Sequence, residues 1–528
     1  MNVEELNFSK KNWNLTSKLF IDWVSRNKVK KFLVENCIVN GLSIWWVSKI
    51  VSKDNVNDKD WFIELKNKLI NKNFSPSKKY FFWTLFLSRF LKNFIKNFIW
   101  IIVIKLISFT RYRNYNIKNC FHSYNYNFFS QKKDFNDRLH GILLSKSKIK
   151  NNFYLVTNIK KIFFIKNLLK FNINRKKIAI SDEFISLKDL FKINFLIVKN
   201  LLILMIFIKK EKNLFSINKI DCSDILQTML INSFCGELQD NYLNAIGIKN
   251  FLDKNKVANF INYGEFSPGF RANYFYIRKS LSKPKIITFQ HGHANFLYNF
   301  NKSVEFTKNN KKEGKLYSPS PDVYLVQGTK FSRILKKYFK KKVVVIGALK
   351  YDKVKFDKKV NSELKQIKYN SKKNILICPS IGDHYDILKL IEGSYNSNYN
   401  YILSPHPTYR KEIIRMYLKT HIRFQTFKKF STNDLIKVSD LVLAGFSHTA
   451  IEAQILGVPS IRLININKPN YLDNNDKIKI IHKTEDLTKV LNLKEFKKYR
   501  IKNVKNVIKL NYNKLDNKSY ERFLKNIG

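Results

Sequence analysis

At 528 residues and 62.8 kDa the chain is too long for one ordinary hydrophobic core, so two large lobes are expected. Apolar residues make up 45% of it and aromatics 15%, which excludes a disordered chain. Its 97 Lys and Arg against 40 Asp and Glu leave a formal net charge of +57. That charge calls for a polyanionic neighbour or a compositional drift, and the abundance of Lys, Asn and Ile beside only 15 Gly and 10 Pro favours drift as the main cause.

Residues 1–75 mix helical patterns with a short apolar run over 31–39, which ends at Asn40-Gly41 and leads into LSIWW. The start, MNVEELNFSKKNWN, has none of the basic, apolar and small-residue regions of a secretory signal. A basic aromatic segment follows over about 76–135. Within it residues 81–109, FFWTLFLSRFLKNFIKNFIWIIVIKLISF, have a spanning length but are interrupted by Arg89, Lys92, Lys96 and Lys105. Each cation near a bilayer centre costs about 2.5 to 3.5 kcal/mol. Arg89, Lys92 and Lys96 recur at helical spacing, which predicts a helix lying on anionic lipid. A second run over 195–208, FLIVKNLLILMIFI, is short, carries Lys199 and is followed by Lys209, Lys210 and Lys212; a buried core helix and an interfacial helix are equal readings of it.

From about residue 140 short β-rich runs alternate with amphipathic stretches: FYLVTNI, KIAIS, KIITFQ, VYLVQG, KVVVIG, NILICPS, YILSPHP and DLVLAG. Continuously apolar runs of this length predict parallel strands covered on both faces. The stretches 330–339, 385–392 and 449–457 predict helices between them, so the fold class is α/β with doubly wound sheets. The polar stretch over 309–321 suggests a lobe boundary, giving lobes of 1–315 and 316–528. Ligands in such sheets sit at the carboxyl ends of the strands.

The five cysteines (Cys37, Cys120, Cys222, Cys235 and Cys378) are scattered and form no C-x-x-C pair. Neither a disulfide framework nor a zinc site is expected, and a reducing cytosol fits. Five of the nine histidines, His291, His293, His384, His406 and His448, fall in turns directly after predicted strands. In KIITFQHGHAN the strand ends at Gln290; Gly292 permits close approach of the chain's backbone to a ligand, and His291 and His293 can donate to phosphate or sugar hydroxyls or take a proton. No carboxylate or cysteine completes a metal set there. In YILSPHPTYRKE, Pro407 can open a helix, with His406 as a donor to a phosphate oxygen or a plain surface histidine. In SDLVLAGFSHTAIEAQILGVPSIRL a strand runs into Gly445, Phe446, Ser447, His448 and Thr449, where Ser447 and Thr449 are capping residues beside helix N–H groups suited to an anion. Glu452 on the first turn can accept from vicinal hydroxyls. Glu265, an isolated acid ahead of Arg271, is either a general base or a loop acid paired with that arginine.

These stretches resemble the GT-B glycosyltransferases of bacterial surface-carbohydrate synthesis, nearest the capsule and O-antigen proteins grouped with Kdo, sialic acid and glycerophosphate transferases. The resemblance is carried by Glu265 with Arg271, Gln290-His291-Gly292, PDVYLVQG with VVVIGALKYD, His406-Pro407 and residues 447–459, and it covers about 260–465. GLSIWW also looks like the start of a surface-carbohydrate family of this type. The resemblance implies two Rossmann-like lobes about a central cleft, with the basic aromatic helical segment as an insert in an acceptor-side first lobe. It implies a second lobe in which His406, Pro407, Gly445, Ser447, His448 and Thr449 hold the donor phosphate and Glu452 the nucleoside sugar. Glu265 or His291 would be the base, and Arg271, Gln290, Gly292 and His293 would position substrate. The donor implied first is a CMP-linked sugar, although the acidic D/E-D/E-G motif of sialyltransferases has only Gly264-Glu265 near it.

The expected reaction therefore transfers a sugar or polyol phosphate from a nucleotide donor to a surface-polysaccharide or lipid-linked acceptor. Neither a metal nor a cofactor beyond the nucleotide sugar is expected, and the chain would lie peripherally on the inner face of the cytoplasmic membrane. Three other readings stand beside it. A nucleotide-sugar epimerase shares the fold, a nucleic-acid protein would explain the charge without any recognisable signature, and a noncatalytic membrane-surface assembly protein needs no chemistry at all.

Overall fold

Among the described residues seven parallel strands form the first sheet: β1 (Asn116–Tyr124), β2 (Asn152–Thr157), β3 (Ile178–Ile180), β4 (Lys256–Asn262), β5 (Lys285–Phe289), β6 (Val323–Val326) and β7 (Lys342–Val345). They lie in the order β7-β6-β5-β4-β1-β2-β3, each pair parallel. The computed structural model describes residues 19–20, 22–24, 28–48, 59–71, 82–107, 116–124, 152–157, 178–211, 213–263, 267–290, 312–352, 362–368, 372–379, 383–405, 410–427, 429–464, 477–493 and 495–527.

Apolar strands such as VYLV are buried along their whole length, because helices cover both faces of a doubly wound sheet. Polar strand residues are admitted only where a partner waits. Asn259 on β4 donates Nδ2 to Asn119 Oδ1 on β1 at 3.0 Å, and Asn119 donates Nδ2 to Asn152 Oδ1 on β2 at 3.1 Å. This asparagine ladder ties three neighbouring strands, and Asn259 also reaches the Ile527 carbonyl of the C-terminal helix Ser519–Ile527 at 2.9 Å.

Four helices of this unit matter below: α1 (Phe82–Ile107), α2 (Leu187–Lys210), α3 (Glu237–Lys254) and α4 (Pro268–Arg278). A capping box starts α2, with the Asp189 N–H donating to Ser186 Oγ and the Ser186 N–H to the Asp189 carboxylate. Proline in the first turn starts α4, where its missing N–H costs nothing.

The second sheet holds β8 (Lys373–Cys378), β9 (Tyr399–Leu403), β10 (Phe424–Gln425), β11 (Leu441–Ala444), β12 (Ser460–Leu463) and β13 (Lys479–Ile481). Its order is β10-β9-β8-β11-β12-β13, again all parallel. Counted along the chain, each sheet therefore runs 3-2-1-4-5-6, the first with one further strand, which is the doubly wound Rossmann order. The α/β class with doubly wound parallel sheets expected from the sequence is what the chain adopts, in two Rossmann-like units.

Two sequence expectations need correction. The division falls at 353/354 and not at 315/316, since one unit takes in Leu15–Lys353 with Leu515–Gly528 and the other holds Val354–Lys514. The reason is strand pairing: β6 and β7 complete the first sheet. The polar stretch 309–321 is polar for an internal reason. Glu313 is buried there, taking Arg278 Nε and Lys341 Nζ at 2.9 Å each and Ser320 Oγ at 3.2 Å. The segment 76–135 is likewise no simple helical insert, because it contains β1, which sits between β4 and β2 in the sheet.

A turn after β3 carries Glu183, whose carboxyl burial pushes from its ordinary 4.5 up to about 8. Its folded form then holds a proton that the unfolded chain has lost, so stability falls as pH rises from about 4.5 through about 8. Glu183→Gln is expected to raise the melting temperature at pH 9 and to leave it almost unchanged at pH 4. Equal shifts at the two pH values in a thermal melt would contradict a buried, raised carboxyl.

Candidate functional site

The order of the second sheet places its switch point between β8 and β11, and open α/β sheets bind ligands beyond the carboxyl ends of strands at that point. Beyond β8 the described chain resumes at Asp383 and enters the helix α5 (His384–Gly393). Beyond β11 it turns through residues 445–448 into α6 (Thr449–Ile455). The two turns are locked together. Asp383 is buried and its Oδ2 accepts the Phe446 N–H at 2.9 Å. Gly445 is required by clearance, since a Cβ there would lie 1.9 Å from that same oxygen.

A second anchor comes from below. Arg462, in the middle of β12 and fully buried, donates Nη1 to the Gly445 carbonyl at 2.8 Å and to the Ser447 carbonyl at 2.9 Å. With its carbonyls drawn inward to the guanidinium, the loop is held in one shape. Ser447 Oγ lies 2.8 Å from Thr449 Oγ1 and accepts the Thr449 N–H at 3.2 Å. His448 stands at the cap position of α6, where capping by Ser447 or Thr449 was expected, and its Nδ1 lies 3.0 Å from the Tyr512 hydroxyl on α7 (Val504–Tyr512). Burial pushes the Cys378 thiol well up; the Glu452 charge adds to the rise and a hydrogen bond from Thr449 opposes it. Thr449 and Glu452 are thus both close to the end of β8.

The structure accordingly brings together five predicted residues: Gly445, Ser447, His448, Thr449 and Glu452. His406 and Pro407 lie outside the described residues; they follow Ser404-Pro405 at the end of β9, where the Ser404 N–H donates to the Ile377 carbonyl on β8 at 2.9 Å. In the first unit Glu265, His291, Gly292 and His293 also lie outside the described residues. Arg271 is an interior group of α4, only 2% exposed, with Nη1 donating to the Trp46 carbonyl at 3.4 Å. Burial lowers its pKa from 12.5 to about 9. Gln290 uses its side-chain carbonyl to accept the Gln327 N–H at 3.1 Å, while Gln327 Nε2 donates to the Gln290 carbonyl at 3.0 Å. That pair ties the ends of β5 and β6.

Sequence reasoning missed Asp383, Arg462 and Tyr512 as parts of this loop. Arg462 left a signal, a lone charge inside the apolar strand SIRL; Asp383 left none beyond its place after a strand. His384, noted as a histidine after a strand, opens α5 beside Asp383, and its Nδ1 has no hydrogen-bond partner among the described residues. At the other end of the sheet a hollow of about 720 Å³ is lined by Lys373, Lys437, Asp440, Pro459, Lys497 and Arg500 among others. It includes none of the predicted residues.

No protein-family model matches the chain, and no curated protein matches it in sequence. Among solved structures, a UDP-GlcNAc 2-epimerase from Methanocaldococcus jannaschii aligns over 78% of this chain and 99% of its own at 15% identity, with a TM-score of 0.43. A structure of a Methanocaldococcus jannaschii UDP-GlcNAc 2-epimerase with UDP-GlcNAc and UDP aligns over 55% and 80% at 17% identity and a TM-score of 0.38. The wall teichoic acid polymerase TagF aligns over 84% and 96% at 13% identity and a TM-score of 0.41. Likenesses at this level assign no chemistry to the chain.

Proposed function

We propose that the chain is a glycosyltransferase that takes a sugar or polyol phosphate from a nucleotide-activated donor, with the donor held at the switch point of the second sheet. The observation that carries this reading is the loop 445–449, fixed there from two sides by Asp383 and Arg462. A ligand-binding position built this rigidly, with two hydroxyls, a histidine and a carboxylate, suits a nucleotide. Ser447 and Thr449 would face the donor phosphate, His406 would donate to it as the family resemblance implies, and Glu452 would accept from the ribose hydroxyls.

Transfer breaks a bond to phosphate, so negative charge grows on the leaving group. One donor fixed in advance at such a site is typically worth about 3 kcal/mol of barrier. The base would come from Glu265 or His291, contributing roughly 10²- to 10⁴-fold. The acceptor would be a surface polysaccharide or lipid-linked glycan, met by a chain lying peripherally on the inner face of the cytoplasmic membrane.

A thermal-shift panel of CMP, CDP, UDP and GDP on the full chain tests the donor site. A ligand specific to the folded state stabilises it by about 2.7 kcal/mol at a hundredfold excess over Kd. The cytidine nucleotides are expected to give the largest rise. No rise with any of the four would overturn the reading. Transfer itself is tested by nucleotide release from a nucleotide sugar, expected only when a glycan acceptor is added.

A further inference from the structure

Two long helices of the first unit each turn a stripe of apolar residues outward. On α1 the inner face carries polar side chains that are bonded inside the unit. Asn93 Nδ2 reaches Gln239 Oε1 at 3.1 Å and Asn97 Nδ2 reaches Asp240 Oδ1 at 3.0 Å, both on α3, and Trp100 Nε1 donates to Asp182 Oδ1 at 3.0 Å. The outer face carries Leu87, Leu91, Ile95, Ile99, Ile102 and Leu106 at three- and four-residue spacing, all exposed, with Leu106 at 67%. Residues so spaced form one stripe along a helix.

The same arrangement recurs on α2. Asn194 and Asn200 point inward, Asn194 Oδ1 accepting from Gln239 and Asn200 Nδ2 donating to the Ile38 carbonyl at 3.2 Å. Phe191, Phe195, Val198, Leu202 and Ile206 form the outer stripe, with Phe195 at 68% exposure. The two stripes meet at an aromatic seam, where Phe191 packs edge-on against Phe94 and Phe98 with ring centroids 5.6 and 6.4 Å apart. The result is one apolar band two helices wide.

Cations run along this band. Lys92 and Lys96 on α1, and Lys192 and Lys199 on α2, each follow a stripe residue by one position and are exposed. The helix α1 contains no acid, and the single acid of α2, Asp189, is engaged in its capping box. A second copy of this band would bring like charges together. The boundary between acyl chains and anionic headgroups instead offers apolar contact to the stripe and negative charge to the lysines.

We infer that α1 and α2 together form a monotopic docking surface that lies in the plane of an anionic bilayer. By length and composition α2 could cross a membrane, but its inner face and that of α1 are fastened to the unit by the bonds above, so the pair lies flat. This surface deepens the peripheral membrane attachment proposed above and rests on neither the donor nor the reaction.

Co-sedimentation of the full chain with vesicles of phosphatidylcholine, with or without about a third phosphatidylglycerol, tests it. Binding to the anionic vesicles and little to the neutral ones is expected. The double variant Ile95→Glu with Leu202→Glu is expected to lower that binding about tenfold or more, with an unchanged melting temperature and an unchanged nucleotide-induced shift, since both positions are exposed. Replacing Lys92, Lys96, Lys192 and Lys199 by Gln is expected to remove the preference for anionic lipid. Vesicle binding that survives both sets of substitutions would overturn the proposal. So would a chain that ignores vesicles and forms a dimer in size-exclusion chromatography that the glutamates dissolve, which would make a second copy the occupant.

Discussion

Arg462→Leu is expected to lower the stability of the second unit by about 3 kcal/mol or more and to abolish any nucleotide-induced stabilisation. Leucine roughly preserves the packing volume of β12 but leaves the Gly445 and Ser447 carbonyls without their donor. An orphaned buried acceptor costs about 1–3 kcal/mol, and two are orphaned at once. Exchanging a buried ionic group for an apolar one is often harmless when its partners are exchanged too; here the partners are backbone and cannot be. Arg462→Lys should fall between, since an ammonium lacks the planar fork and longer reach of guanidinium. Urea denaturation measures the loss, and a wild-type midpoint for Arg462→Leu would mean that the loop does not depend on this anchor.

Gly445→Ala tests the opposite side of the same loop. The added methyl would sit 1.9 Å from Asp383 Oδ2 and 2.5 Å from its Cγ, so either the carboxylate swings away or the loop moves. The first loses the bond to the Phe446 N–H; the second pulls the Ser447 carbonyl from Arg462. Overpacking of this kind costs about 1–3 kcal/mol, and nucleotide binding should fall with it. The double variant Gly445→Ala with Asp383→Ala should be less destabilised than the two single changes summed, because Asp383→Ala removes the carboxylate that the new methyl would strike. Strict additivity in denaturant melts would show that the two residues do not meet.

The strands that could be read in advance were those built on a continuous apolar run. The runs in KIITFQ, VYLVQG, NILICPS, YILSPHP and DLVLAG appear in β5, β6, β8, β9 and β11. β1 was hidden inside a basic aromatic stretch because NIKNCFHSY looks polar residue by residue. Two of its buried polar members pair with other strands: Asn119 with Asn152 and Asn259, and His122, whose Nε2 lies 2.8 Å from Thr157 Oγ1. No local pattern encodes such pairing. The lobe boundary was misplaced for a similar reason, since the polar run before β6 owes its character to a buried ion-pair cluster around Glu313 and not to a linker.

At the candidate site the turn after β11 was legible because Gly445, Ser447, Thr449 and Glu452 fall within one short stretch of sequence. Asp383 and Arg462 were not connected to it, being 62 residues before and 17 residues after Gly445 in the sequence and joined to it only by the order β8-β11-β12. The outward stripes of α1 and α2 were half legible. Spacing gave the amphipathic helix, but the burial of Asn93 and Asn97 in place of the leucines opposite them depends on what α3 offers. Helix α3 presents Gln239 and Asp240 there.

Hydrogen exchange of the full chain with and without saturating CMP tests the donor site most directly. Slowed exchange at residues 445–452 and at the start of α5, beside Asp383, is the expected result. Protection confined to the first unit, or to the lysine-lined hollow at the opposite end of the second sheet, would contradict a nucleotide held at the switch point.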